Sequence, residues 1–323
     1  MRSNQSVQTR QSGLSMIELM ISMTLGLIIT AAVMQVFISS NQTYRMQHAL
    51  ARLQENGWAA IHFISRDLRM AGFWGCLPNR DQLSSSLLTL NNPEYKYEST
   101  SIFSGSSNSG LNRSDSITVL RVKDQNHLLL SAMSSPSDNL QLNSTEQIKN
   151  GDKLLITDCF QGDLFQVTDI VGNNIKHERS GNRSESFDHL YQAGSQLYEV
   201  YPISYQLRRS NGVPTLYRKA GSGRFEALIE NIEQIQILYG ENTDSKDGTE
   251  RYVELTEVSD PDRIQSIRVA LLVRSDSDNL TSAPQPYYFD NFDGNSSNNQ
   301  HTAPDRRLRQ AFATTITVRN HIQ

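Results

Sequence analysis

A single carboxylate, Glu18, stands in an otherwise uncharged apolar run covering residues 14–38. Gly13 precedes that run, and a peptide cut after it would free the amine of Leu14 four residues from Glu18. An ionised carboxylate at the centre of a lipid-facing helix costs roughly 2.5–3.5 kcal/mol on insertion scales, so it needs a partner or a purpose. The freed amine is one candidate partner, met within one helix or between neighbouring helices, where the pairing would also fix an axial offset. The plainer alternative is an acid close enough to the interface to snorkel or protonate.

Other chemistry is sparse. The seven histidines are scattered, and none lies near a cysteine in sequence. Gly105 to Gly110 lacks the Lys-Ser/Thr of a phosphate loop, and His177-Glu178 has no second histidine four residues after the first. No enzyme and no cofactor is expected. Two acidic loops, with Asp244, Asp247 and Glu250 in one and Asp290 and Asp293 in the other, carry some of the oxygens calcium needs but not a full ligand spacing. Asp-Gly and Asn-rich turns yield such strings without metal. Cys76 and Cys159 form an even pair, which by itself does not establish the compartment.

The elements that hold these residues divide the chain sharply. The composition is 37% hydrophobic and 20% charged with a mean hydropathy of −0.49, yet the apolar content is concentrated near the N-terminus. The formal charge of −4 becomes −6 once Arg2 and Arg10 leave with residues 1–13, so bulk nucleic-acid affinity is not indicated. As a helix, residues 14–38 reach roughly 37 Å, enough to cross a bilayer core of about 30 Å. Arg2 and Arg10 precede the run with no acid to offset them, which keeps the N-terminus cytoplasmic and exports the rest. Beyond it, Met46, Leu50, Leu53, Gly57, Ile61, Ile64, Leu68 and Ala71 recur at helical spacing, and Gly72 is a natural stop. One helix over about 14–71 is expected, with an amphipathic part at 39–72.

Residues 73–323 read as an exported head. Strands are expected at 116–122, 127–131, 153–157, 164–170, 196–205, 215–219, 232–239, 264–274 and 313–319. Residues 225–231 are either a helical turn or a strand lead-in, and the polar segment 276–304 reads as a long loop. The arginines at 306, 307 and 309 suit a solvated segment with local acidic partners better than a DNA or partner contact.

Residues 11–20, Gln-Ser-Gly-Leu-Ser-Met-Ile-Glu-Leu-Met, resemble the class III signal of type IV prepilins and type II secretion pseudopilins, with Leu14 where the family usually has Phe. Residues 67–76, Asp-Leu-Arg-Met-Ala-Gly-Phe-Trp-Gly-Cys, resemble the helix exit of PilW-type minor pilins; Asp158-Cys159 with 163–165, 232–240 and the final strand are similar to that family too. The resemblance implies an α+β, type IV pilin-like fold, a long helix packed on a mainly antiparallel head. It implies leader removal between Gly13 and Leu14 by a prepilin peptidase, methylation of Leu14, and a role for Glu18 in assembly.

The same resemblance implies a minor pilin that helps initiate the pilus and sits at its tip. Its partners would be other minor pilins, the major pilin, the inner-membrane assembly platform, a large tip adhesin and inner-membrane lipid, with no direct nucleic-acid contact. Before assembly the head would be periplasmic; afterwards it would be at the cell surface. An oxidising destination implies a Cys76–Cys159 disulfide, with two buried thiols as the alternative. Phe73 and Trp74 are either core staples or a partner-facing aromatic pair. A J-type pseudopilin of a type II secretion system shares the leader and the β-rich head, and stands as the rival reading.

Overall fold

The computed structural model describes residues 13, 15–78, 82–87, 102–243, 248–289, 300–318 and 320. Two compact units emerge, Met1–Ala51 and Arg52–Gln323. A 54-residue helix, Met16–Arg69, contributes to both. Within the first unit the helix is solvent-exposed along its apolar length, from Met16 and Ile17 through Phe37 and Ile38. This stretch is long and apolar enough to cross a membrane, with a mean hydropathy of 2.1 over its best window.

In the second unit the helical turns from Arg52 to Arg69 lie on a β-rich head. Leu53, Ala60, Ile61, Ile64, Leu68 and Ala71 enter its main core, as their three- and four-residue spacing requires. Leu50, expected on that buried face, is 41% exposed. The helix packs tightly against the final strand at Gly57. A Cβ there would fall 2.4 Å from the Phe312 ring of the final strand, and Trp58 meets the same ring edge-on.

The larger sheet is organised by one long strand, Gln196–Ser210. One edge pairs antiparallel with Ser116–Leu128. The other edge is shared: its first half pairs with Lys153–Thr157 and its second half with Val213–Ala220. Gly162–Gln166 and Leu83–Ser85 extend the first branch, the latter as a parallel pair, and Glu226–Glu230 extends the second. The two strands expected at 116–122 and 127–131 are one, interrupted by a register shift between Val122 and Asn126. Residues 225–231 supply an edge strand, not a helical turn.

The second sheet runs Arg251–Val253, Ile232–Glu241, Ile264–Arg274, Arg309–Thr317, all antiparallel. The burial of eight of eleven residues in Ile264–Arg274 explains its weak alternation, since both of its faces are covered. The segment 276–304 is more than a loop, because Pro286–Tyr288 pairs with Gln300–Thr302 inside it. Arg309 is almost fully buried, held by Glu233 and Asp305 at 2.6 Å each, so it is not a solvated cation. Residues 129–197 build a separate core around Phe165, Phe187 and Tyr191, which His177 joins by stacking on Phe187.

Asp115 joins the two sheets. Its carboxylate accepts from the backbone N–H groups of Asn108 and Ile237, both at 2.7 Å, while its own N–H donates to the Ile235 carbonyl. Burial pushes its carboxyl up to about 6, the two N–H donors offsetting only part of that. A raised folded-state value means that the native state retains a proton that the unfolded chain releases. The stabilising contribution is therefore complete below about pH 4 and lost as pH rises through 6. Unfolding measured from pH 4 to 7 should show Asp115→Asn gaining on wild type with rising pH, by at most about 3 kcal/mol. A difference that does not vary with pH would contradict this assignment.

Candidate functional site: the helix start and the helix exit

Ser15 precedes the first helical residue, and Glu18 lies three positions later. The Glu18 carboxylate accepts from the Ser15 backbone N–H at 2.9 Å, and the Ser15 hydroxyl accepts from the Glu18 N–H at 3.3 Å. This reciprocal pair is a capping box, which satisfies two of the donors that a helix start leaves open. Glu18 thus has a partner on its own first turn. Gly13 is exposed with no atom near the position of a Cβ, and Leu14 lies outside the described residues.

The helix exit is the most heavily tied point of the head. Asp67 is fully buried in the last turn of the helix. Arg121 Nη1 donates to it at 2.9 Å from the strand Ser116–Leu128, and Arg218 Nε at 2.8 Å from Val213–Ala220. Tyr205, on the central strand, donates its hydroxyl at 2.6 Å. Three strands therefore converge on one helical carboxylate. Burial, and then the adjacent Asp67 charge, raise the Tyr205 phenol above its ordinary range, so it stays a donor.

The chain then turns sharply. Gly72 and Gly75 adopt φ values of +69° and +68°, where a Cβ would be strained in any case; it would also meet Ile102 and Tyr198 respectively at 2.6 Å. Gly72 N–H donates to the Leu120 carbonyl, and Asn320 Nδ2 donates to the Arg69 carbonyl left open at the helix end. Trp74 is buried in the main core, while half-buried Phe73 packs edge-on against Tyr198. Cys76 is bonded to Cys159 across 83 residues, with Cα atoms 4.8 Å apart. Cys159 sits in a turn organised by Asp158, which accepts from the N–H groups of Phe160 and Gln161 and pairs with His189 at 2.8 Å.

The structure thus brings together Phe73, Trp74, Cys76 and Cys159 at the exit. Of the calcium candidates, Asp244, Asp247, Asp290 and Asp293 lie outside the described residues, and Glu250 accepts a hydrogen bond from the Thr243 hydroxyl. Among the described residues no group of three metal-ligating side chains occurs. The centre that sequence reading passed over is the Asp67 cluster. Its signal was present: Asp67 falls three residues after Ile64 on the apolar stripe, where an acid needs cationic or donor partners.

Residues 204–320 match the family model described as Type IV Pilus-assembly protein W, and residues 8–34 match the prokaryotic N-terminal methylation motif. None of the curated proteins matches the chain. A solved type IV-like pilin from Thermus thermophilus is similar at 12% identity with a TM-score of 0.35, over 84% of this chain and all of that one. A likeness that loose carries no argument, so the similarity rests on the two family matches. They liken this chain, a long apolar helix followed by a mainly antiparallel head, to type IV pilins. Within that class the likeness is to the PilW type.

The Asp67 cluster carries a direct test. Asp67→Asn removes the charge that Arg121 and Arg218 share and leaves Arg121 buried without it. Breaking a buried pair in this way costs about 3–5 kcal/mol. Chemical unfolding of the variant should show a loss of that order, whereas a loss under about 1 kcal/mol would mean that the cluster is incidental.

Proposed function

We propose that this protein is a minor pilin that helps initiate type IV pilus assembly and occupies the pilus tip. The observation that carries the reading is the pairing of a methylation-type N-terminus with a PilW-type head in one chain. A prepilin peptidase would cut between Gly13 and Leu14, and Leu14 would then be methylated. Residues 14–38 would stay in the inner membrane until the subunit is drawn into the filament.

Glu18 enters this scheme with its carboxylate already held by Ser15. The capping box lowers the cost of keeping an acid in an apolar segment before assembly. A neighbour's methylated amine, being cationic, is a stronger partner than a neutral N–H, so the carboxylate would transfer to it as helices pack. At the other end of the helix, the Asp67 cluster and the Cys76–Cys159 bond would keep the head fixed to the turns that emerge from the filament. Other minor pilins, the major pilin and a large tip adhesin are the proposed neighbours of the head.

Deletion of the gene tests the function. The proposal expects loss or a strong reduction of surface pili, restored by the wild-type gene, with secretion of folded enzymes unaffected. Intact piliation together with lost enzyme secretion would make the protein a J-type pseudopilin instead.

A further inference from the structure

The head has an uneven charge distribution that none of the features above uses. Residues 206–226 hold five cations, Arg208, Arg209, Arg218, Lys219 and Arg224, against the single acid Glu226. Arg218 is committed to Asp67, but Arg208, Arg209 and Arg224 are exposed, and among the described residues none of these three forms an ion pair. Arg208 lies 4.1 Å above the Phe225 ring, and Lys219 reaches the same ring at 5.7 Å. Phe225 is only half-buried, so the ring holds two cations in place at the surface. Elsewhere in the head, exposed arginines such as Arg52, Arg251 and Arg263 have acidic partners.

A complementary surface occurs on the same chain. Residues 250–262 carry Glu250, Glu254, Glu257, Asp260 and Asp262; Asp260 is paired with Arg263, and the one cation within the segment, Arg251, is taken by buried Glu241. No ion pair among the described residues joins this segment to the basic hairpin. We propose that the basic hairpin of one copy docks onto the acidic segment 250–262 of a second copy. Two different patches meet in such a contact, which makes it heterologous, the head-to-tail geometry by which subunits stack in series. Single-stranded nucleic acid fits the hairpin less well, because bases need free ring faces to stack on and Phe225 is occupied by the chain's own cations. The contact does not depend on the proposed place at the pilus tip, so its failure would leave that reading intact.

The test is self-association of the full chain in neutral detergent micelles, followed by sedimentation equilibrium. Association should weaken about tenfold or more between low salt and about 0.3 M salt. Arg208→Glu with Arg224→Glu should weaken it by about tenfold, and Glu254→Lys with Glu257→Lys by a similar factor. Mixing the two reversed chains should restore association to near the wild-type level, which a simple folding defect would not do. Association unaffected by either reversal, or a mixture no tighter than its components, overturns the proposal. So does binding of a single-stranded oligonucleotide that the arginine reversals abolish while self-association persists.

Discussion

A carboxylate with no access to water constrains the head more than any other group. Asp67 is carried into the core by the same helical periodicity that buries Ile64 and Leu68. An uncompensated charge at that depth would cost several kcal/mol. The solution is geometric: Arg121, Tyr205 and Arg218 reach it from three neighbouring strands at 2.6–2.9 Å. Those strands must hold their register for all three donors to converge. The central strand Gln196–Ser210 is accordingly paired along both edges, so that Tyr205 is held between the strands bearing Arg121 and Arg218.

The covalent and steric constraints fall within a few residues of that carboxylate. Gly72 and Gly75 let the backbone turn where side chains would collide, and Cys76 ties the turn to Cys159. In the chain-entropy view, closing a loop of this length removes about 4 kcal/mol of freedom from the unfolded chain. Charge, turn and disulfide thus reinforce one another at the point where the chain passes from the helix into the sheets. A filament subunit pulled through its helix would be loaded at that point, which gives the proposed function a physical reason for the clustering.

Much of this was legible in the sequence, and the rest was hidden for identifiable reasons. The strands Lys153–Thr157 and Ile264–Arg274 read correctly because β-branched and apolar runs were bounded by polar turns. Glu226–Glu230 stayed open between a helical turn and a strand lead-in, since Glu-Ala-Leu-Ile-Glu favours helix and only pairing with Val213–Ala220 makes it a strand. The pair Pro286–Tyr288 and Gln300–Thr302 was concealed by its polar surroundings, and Leu50 followed the helical period without being buried. Asp67 was visible as an acid on an apolar stripe, but its partners lie 54 to 151 residues away, at separations that local patterns do not reach. The capping box needs only Ser15 and Glu18, three positions apart, a spacing readable in the sequence.

The account stands on what happens at Gly13, because a pilin is defined by keeping its apolar helix after losing its leader. Mass spectrometry of the membrane-extracted protein, from cells with and without the prepilin peptidase, measures this directly. The account predicts a chain starting at N-methylated Leu14 when the peptidase is present and the unprocessed chain when it is not. A protein that keeps its leader in both cases, or is cut elsewhere without methylation, would contradict it.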